Sequence, residues 1–371
     1  MLLILGLILF VSLVVVHEYG HFLAARRSGV DVEEFGIGFP PRAWGKKLKS
    51  GLLLSINWLP LGGFVRLKGE HSADTRPGSF GAVSLYDKTK IMLAGVGMNL
   101  LAAFVLLTFL ALMGMPKLID NQFAVSRDTK VIRNDVLVGY VEADSPAARA
   151  GLLQRDQLLG IGQIGEMVTI QSADQLPEAT KKFAGQQILV TVRRDGKEQA
   201  VNVKLRSSME VEASKKTNDP KGYLGIAPTE YTLRRSTWSA PVVAAGLIKQ
   251  FTIMTLQGLG HALGALVSGN GTKASEQVAG PVGIFALLKD GSLLGYQFII
   301  MIIALISLTL AIINVLPIPA LDGGRLFVTW LFRLLRKPLN KKTEEWIHGT
   351  GFALLMVLVV LITIVDIKRF F

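Results

Sequence analysis

A chain of 371 residues that is 50% hydrophobic, with a mean hydropathy of +0.43, is too apolar for an ordinary soluble protein and has the composition of a multispan membrane protein. The absence of cysteine excludes a disulfide framework and any thiolate-ligated zinc or iron–sulfur site, so a metal here must use histidine and carboxylate ligands. The net charge of +12 does not mark a nucleic-acid binder, because no basic stripe with interleaved aromatics is present and the cations flank apolar runs instead.

The first apolar run, Met1 to Ala25, has no charged leader and is longer than the apolar stretch of a cleaved signal peptide. It reads as a retained transmembrane helix over about residues 2–24. Inside it stands His17-Glu18-Tyr19-Gly20-His21. Four residues apart on a helix, His17 and His21 share one face, so both imidazoles reach a single metal ion. Glu18 lies beside them, close enough to deprotonate a water on that ion. A coincidental pair of helix histidines is the plain alternative. Against it, a His-Glu-His cluster in lipid is costly unless it is paired, metallated or facing a wet cavity.

Between Ala25 and Lys90 the chain is basic, with Arg26, Arg27, Arg42, Lys46, Lys47 and Lys49 among its cations. Within it, Leu52 to Leu59 is apolar, Pro60-Leu61-Gly62-Gly63 breaks the run, and Phe64-Val65-Arg66-Leu67 resumes with strand-like residues. This is too short to span a bilayer. It reads as a re-entrant strand pair, tolerated only where protein or a water-filled cavity covers it, or else as a plain cytoplasmic hairpin. A second span follows at about 91–113.

Residues 120–206 are mixed and soluble in character. Val136 to Val141, Asp156 to Ile161 and Ile188 to Arg193 are strand-like, Ser145 to Leu152 looks like a helix start and a turn, and a helix is expected around Ala173–Phe183. The pattern resembles a PDZ domain of the kind found in bacterial proteases, which binds peptides by adding a strand to an exposed edge. A purely structural β-rich domain is the alternative. From Tyr223 to Gly295 the chain is glycine-rich, and Ser236 to Val267 is expected to form an amphipathic helix on the outer membrane face.

The third span, about 296–316, ends in Asn314-Val315-Leu316-Pro317-Ile318-Pro319-Ala320-Leu321-Asp322-Gly323-Gly324-Arg325, and a fourth covers about 350–367. Two histidines leave a catalytic metal short of a protein ligand, and Asp322 is the candidate for the third. The two prolines break the helix and the two glycines let its backbone approach its neighbours closely, so the carboxylate can be aimed inward. A surface helix cap is the other role open to Asp322. The basic loops after the first and third spans belong inside, which places both termini and the 114–295 segment outside the cytoplasm; Lys368 and Arg369 argue weakly the other way.

The sequence resembles the site-2 proteases, intramembrane zinc metalloproteases, in their bacterial RseP-like branch. His17-Glu18-Tyr19-Gly20-His21 and the Asn314–Gly324 segment match the family's two signature motifs in order and spacing. Pro60-Leu61-Gly62-Gly63-Phe64-Val65, Ala94-Gly95 with Asn99, and Gly280-Pro281-Val282-Gly283-Ile284 match further segments. The resemblance implies Zn2+ held by His17, His21 and Asp322, with Glu18 as catalytic base. It also implies substrate handling by Asn314, Pro317 and Pro319, and pairing of the unwound substrate with the element that contains Gly62, Gly63 and Phe64. Relatives often carry two tandem PDZ domains, whereas this chain has room for one.

The expected architecture is therefore a multispan α-helical membrane protein of about four transmembrane helices, with a re-entrant β-element and an inserted α+β PDZ-like domain. Residues 1–119 and 296–371 form the catalytic membrane part, 120–208 the PDZ-like domain and 209–295 a connector. The expected setting is the bacterial inner membrane, with the active site toward the cytoplasm. The expected partners are the bilayer, single-span membrane protein substrates such as anti-sigma factors or remnant signal peptides, and peptide termini at the PDZ-like domain. Two other classes compete: a non-catalytic PDZ scaffold, and a metal transporter with acidic and histidine residues strung across its spans. The remaining histidines, His71, His261 and His348, are expected to have no metal role.

Overall fold

The computed structural model describes residues 1–70, 74–217, 219–269 and 280–370. The chain divides into two compact units, one made of Met1–Met115, Asn121–Asp128 and Ser236–Phe371, the other of Pro116–Asp120 and Thr129–Arg235.

The first unit is built from helices α1 (Leu2–Arg27), α2 (Leu85–Met113), α6 (Ala240–Val267), α7 (Pro281–Gly291), α8 (Tyr296–Val315), α9 (Asp322–Leu334) and α10 (Lys341–Phe370). Small residues set the helix spacing, as expected where lipid gives no hydrophobic drive to association. A β-carbon on Gly20 of α1 would lie 2.5 Å from the Ala94 carbonyl oxygen of α2. At the opposite end of α1, a β-carbon on Gly6 would lie 3.3 Å from Leu288 of α7 and 3.4 Å from Ile299 at the start of α8. Leu13, Leu288, Ile299, Ile302 and Ile303 bury the seam between these helices. On the outside of α10, Leu354, Val357, Leu358, Leu361 and Ile364 stay exposed, an apolar surface suited to lipid.

Five helices among the described residues are long and apolar enough to cross a membrane by length and composition: α1, α2, Ala240–Ala265 within α6, α8 and Lys341–Arg369 within α10. The sequence pointed to four, with α6 as an amphipathic surface helix. Gln250, Gln257 and His261 break its apolar character only locally, so the whole segment still passes by composition. Both α2 and α10 start earlier than the apolar runs alone indicated. The α2 extension is capped by Ser84, whose Oγ accepts from the Asp87 N–H at 3.1 Å, so the helix takes in Lys88 and Lys90 before its apolar stretch begins.

Strands β1 (Val32–Lys47) and β2 (Leu53–Leu67) form a two-membered sheet with repeated register shifts. Residues 34–37 of β1 register against both Leu53–Ile56 and Gly63–Arg66, while Arg42–Lys47 registers against Leu53–Asn57. The 63–67 arm thus pairs on one side only. A β-carbon on Gly36 would meet the Phe64 ring at 2.4 Å, which is why the middle of this sheet carries glycine. Glu34, 2% exposed, bonds Arg42 at 3.0 Å and also pairs with Arg66, tying the two strands together.

In the second unit the sheet runs in the order β3 (Met115–Pro116), β9 (Ile226–Arg235), β4 (Lys130–Val141), β5 (Gln157–Gln163), β7 (Gln187–Arg194) and β8 (Lys197–Lys204), with β6 (Glu166–Thr169) on β5. Short helices α3 (Pro146–Arg149), α4 (Gln175–Lys182) and α5 (Ser208–Ser214) complete it. Val138, Ile161, Val190 and Val192, all 0% exposed, form its core with Leu176 and Phe183 of the α4 region. The sheet takes β9 from residues that the sequence reading assigned to the connector, so this unit extends past residue 208 to Arg235.

Candidate active site

The first half of the candidate metal site comes from the helical repeat. His17 and His21 lie one turn apart on α1, with ring centroids 4.8 Å apart and Nε2 atoms at 3.2 Å. The second comes from the first turn of α9. Asp322 Oδ2 stands 3.2 Å from His17 Nε2 and 3.2 Å from His21 Nε2, with side-chain exposures of 20%, 13% and 12% for the aspartate and the two histidines. Among the described residues this is the only group of three or more His, Asp or Glu side chains whose ligand atoms converge closely enough to hold an ion.

The loop that delivers Asp322 is compressed. Ala320 adopts a left-handed φ of +80°, a conformation that costs a residue with a β-carbon and persists only where its surroundings enforce it. Gly323 and Gly324 then lie on the loop backbone. A β-carbon on the first would sit 2.2 Å from the Val315 carbonyl oxygen, and one on the second 1.9 Å from that of Ile318. No larger residue allows α9 to start so close to the end of α8. From α10, His348 faces the same loop, with the Ala320 N–H donating to its Nδ1 at 3.4 Å.

Second contacts fix the imidazoles. His21 Nδ1 lies 2.8 Å from the Ile91 carbonyl oxygen, so Nδ1 carries the proton and Nε2 is left as an electron-pair donor. His17 Nδ1 lies 3.1 Å from Asn99 Nδ2, and Asn99 Oδ1 is buried without a partner. Turning the Asn99 amide over lets Oδ1 accept from His17 Nδ1–H, the tautomer that leaves the second Nε2 as an electron-pair donor. With both histidines in that tautomer, nothing donates to Asp322 Oδ2, which is buried and has no hydrogen bond. Three lone-pair donors then converge without a proton among them. Their spacing of 3.2 Å is close to the edge of a tetrahedron with bonds of about 2.0–2.1 Å, roughly 3.3 Å, so the set fits a zinc ion.

These residues line a cavity of about 250 Å³ together with Glu18, Phe64, Val65 and the Glu70–Arg325 ion pair, which closes at 2.8 Å. A β-carbon on Gly63 would lie 3.2 Å from Glu18 Cγ, and the Val65 backbone amide faces the Glu18 carboxylate. The one-sided β2 arm therefore runs along the wall that carries Glu18. Of the residues expected to handle substrate, Gly63 and Phe64 are brought to the site, whereas Gly62, Asn314, Pro317 and Pro319 are not part of the cavity lining. Pro319 packs instead near Gly351 of α10. His71 lies outside the described residues. No local pattern points to the Ile91 carbonyl, His348 or the Glu70–Arg325 pair, because these are contacts between segments far apart in the chain.

A helix-borne pair of histidines with an adjacent glutamate and a distal aspartate, set among long apolar helices, is the constellation of a membrane metallopeptidase. The family described as peptidase family M50 matches residues 5–358, and the chain belongs to that family, the site-2 proteases, as a zinc metalloprotease. It is 28% identical over 376 residues to a predicted zinc metalloprotease of Fusobacterium nucleatum, covering 99% of this chain and 97% of the relative. With another from Nostoc sp. it shares 32% identity over 351 residues, 93% of this chain and 90% of the relative. With the regulator of sigma-W protease RasP of Bacillus subtilis it shares 27% identity over 447 aligned positions, 98% of each chain.

Proposed function

We propose that this protein hydrolyses peptide bonds within or near the transmembrane segments of single-span membrane proteins, with His17, His21 and Asp322 as zinc ligands and Glu18 as the catalytic base. The observation that carries this reading is the 3.2 Å triangle of His17, His21 and Asp322, set in one cavity with Glu18 beside a one-sided strand. Zinc, when bound, supplies a Lewis acid that polarises a carbonyl and acidifies water. Glu18 takes the proton of the attacking water and returns it to the leaving amine. Ile91 and Asn99 hold the imidazoles in the ligating tautomer.

A membrane helix shields its own peptide bonds, so a substrate must unwind before it is cut. The free side of the Gly63–Leu67 arm offers the replacement hydrogen bonds an unwound segment needs. Asn314, Pro317 and Pro319 act on substrate from outside the cavity, at the loop that positions Asp322.

We infer four membrane crossings: α1, α2, α8 and α10. The start of α1 meets the start of α8 at Gly6 and Ile299, and His17, His21 and Asp322 join their opposite ends, so α1 and α8 run the same way. The Ser236 N–H donates to the Ala111 carbonyl at the far end of α2, and Leu288 lies back at that same level, beside Gly6. Were α6 a crossing, the chain would have to return between Val267 and Gly280. At about 1.5 Å per residue that stretch is too short to cross a core of about 30 Å as a helix. The basic loops then put the site toward the cytoplasmic face of a bacterial inner membrane and the second unit outside. That unit acts as a PDZ-like reader of substrate termini. The name of the Bacillus relative, a protease that regulates sigma-W, makes anti-sigma factors a first substrate class to try, with remnant signal peptides as the other.

The test is cleavage of a single-span substrate by purified protein with and without a chelator, alongside Glu18→Gln. The variant should fold and bind zinc but not cleave; hydrolysis retained in Glu18→Gln would sink the assignment of the base.

A further inference from the structure

A second cavity, of about 410 Å³, opens between the first turns of α2 and the end of α9, away from the zinc-ligand cluster. Its polar lining is cationic: Lys88, Arg333 and Lys337, together with Ser84, beside the apolar Phe332 and Leu339. Lys88 is the unusual member. It is only 8% exposed, its ammonium sits over the Phe80 ring at 5.6 Å, and it donates no hydrogen bond to any described residue. Arg333 is close enough to repel it, and the buried Glu344 is the carboxylate that attracts it. Three cations against one carboxylate leave the cavity with a surplus of about two positive charges. Holding the Lys88 ammonium beside a second cation in a partly desolvated pocket is costly, and an anion in the cavity removes the cost.

We propose that this cavity binds the phosphate of an acidic glycerophospholipid headgroup. A phosphate matches the surplus charge and accepts from Lys88, Arg333, Lys337 and the Ser84 hydroxyl. The surroundings select a lipid over a free ion. Around the cavity α2 and α9 expose Tyr86, Phe327, Trp330 and Leu334, at 71%, 50%, 53% and 80%, a surface for acyl chains. The Trp330 indole N–H donates to Thr89 Oγ1 at 3.2 Å, the arrangement of an interfacial aromatic anchored at headgroup depth. Basic pockets between helices at the membrane surface are suited to such headgroups. The inference rests on the reading that α2 begins at a bilayer surface. The consequence reaches the zinc site, because α2 carries the Ile91 carbonyl that holds His21 and α9 begins with Asp322. A phosphate bridging Lys88 to Arg333 and Lys337 clamps together the two elements that carry these groups.

The experiment is lipid retention. Protein in nanodiscs containing equal phosphatidylglycerol and phosphatidylcholine is released into detergent, and the retained lipid is weighed by native mass spectrometry. The wild type should keep phosphatidylglycerol preferentially, and removing each cation should reduce that preference about fivefold. Arg333→Gln with Lys337→Gln changes two exposed residues and keeps the fold, so it carries the test if Lys88→Met fails to fold. An unchanged preference in the double variant overturns the proposal. Binding of inorganic phosphate to delipidated protein as tightly as the lipid would overturn the lipid assignment in favour of a free-anion site. Glu18→Gln should retain lipid like the wild type, so the result is independent of whether the protein cleaves.

Discussion

Gly95 of α2 lies directly against His21: a β-carbon at this position would stand 2.4 Å from His21 Nε2 and 2.7 Å from His17 Nε2. The glycine creates the space in which the two imidazoles meet the aspartate. A methyl group there would occupy the volume the ion needs. Gly95→Ala should therefore lose bound zinc, and with it cleavage, while the helices still assemble. Metal analysis of the purified variant checks this, and stoichiometric zinc in Gly95→Ala would contradict the geometry.

Asn99 is 1% exposed and its side chain reaches His17 Nδ1 at 3.1 Å. Partners of this kind set the ligand's tautomer and basicity, and losing one typically lowers metal affinity about 10- to 100-fold. Asn99→Leu should show a fall of that size in a competition with a chelator. Asn99→Asp keeps an acceptor for the imidazole N–H and should recover most of the affinity. Equal affinities for the two variants would remove Asn99 from the positioning role.

Gly63 sits between Glu18 Cγ, the Gly36 carbonyl oxygen and Val14, each 3.2 Å from where its β-carbon would be. Gly63→Ala must push one of these aside by a few tenths of an ångström, and Glu18 is the movable member. Small misplacements of a catalytic group are expensive, so kcat should fall by about tenfold or more with zinc content unchanged. A variant with normal kcat would show that the strand does not press on the base.

Asp128 holds the start of α6 from the far side of the inserted unit in sequence. Its carboxylate accepts from Ser239 Oγ at 2.6 Å, Thr237 Oγ1 at 2.5 Å, and their backbone N–H groups at 3.0 and 2.8 Å. The Ser239 and Thr237 hydroxyls, more than anything else, hold its carboxyl well below the usual carboxylate value of about 3.9. Because the native value is depressed, the stabilisation is complete above the unfolded value and is lost as the pH falls through the native one. Asp128→Asn should lower the thermal midpoint at pH 7, and the gap to wild type should narrow below about pH 4. A gap that stays constant into acid would mean that the charge is not what the cap uses.

Local pattern was enough for much of this protein. The one-turn spacing of His17 and His21 and the four apolar runs at α1, α2, α8 and α10 are properties of short windows, where period and hydropathy act directly. The same holds for β4, β5, β7 and α4, whose alternation and turn residues are local. The sequence under-read β9, because Ile226–Arg235 becomes a strand only by lying along β4, nearly a hundred residues earlier. For α6, overall apolarity says how well a helix tolerates lipid, while the side on which the chain returns decides whether it crosses, so composition alone passes five helices where four crossings are inferred.

By itself the sequence determined which residue types were available for chemistry, a histidine pair on one helix face and one acidic residue beside a broken span. Only the tertiary structure decided that these meet at 3.2 Å, that Gly95, Gly323 and Gly324 leave room for the meeting, and that Asn99 and the Ile91 carbonyl fix the imidazoles. The physical reason is range. Helical period and hydropathy act over a turn or a span, whereas a ligand set is an agreement in distance among segments some three hundred residues apart, enforced by backbones packed too closely for a β-carbon.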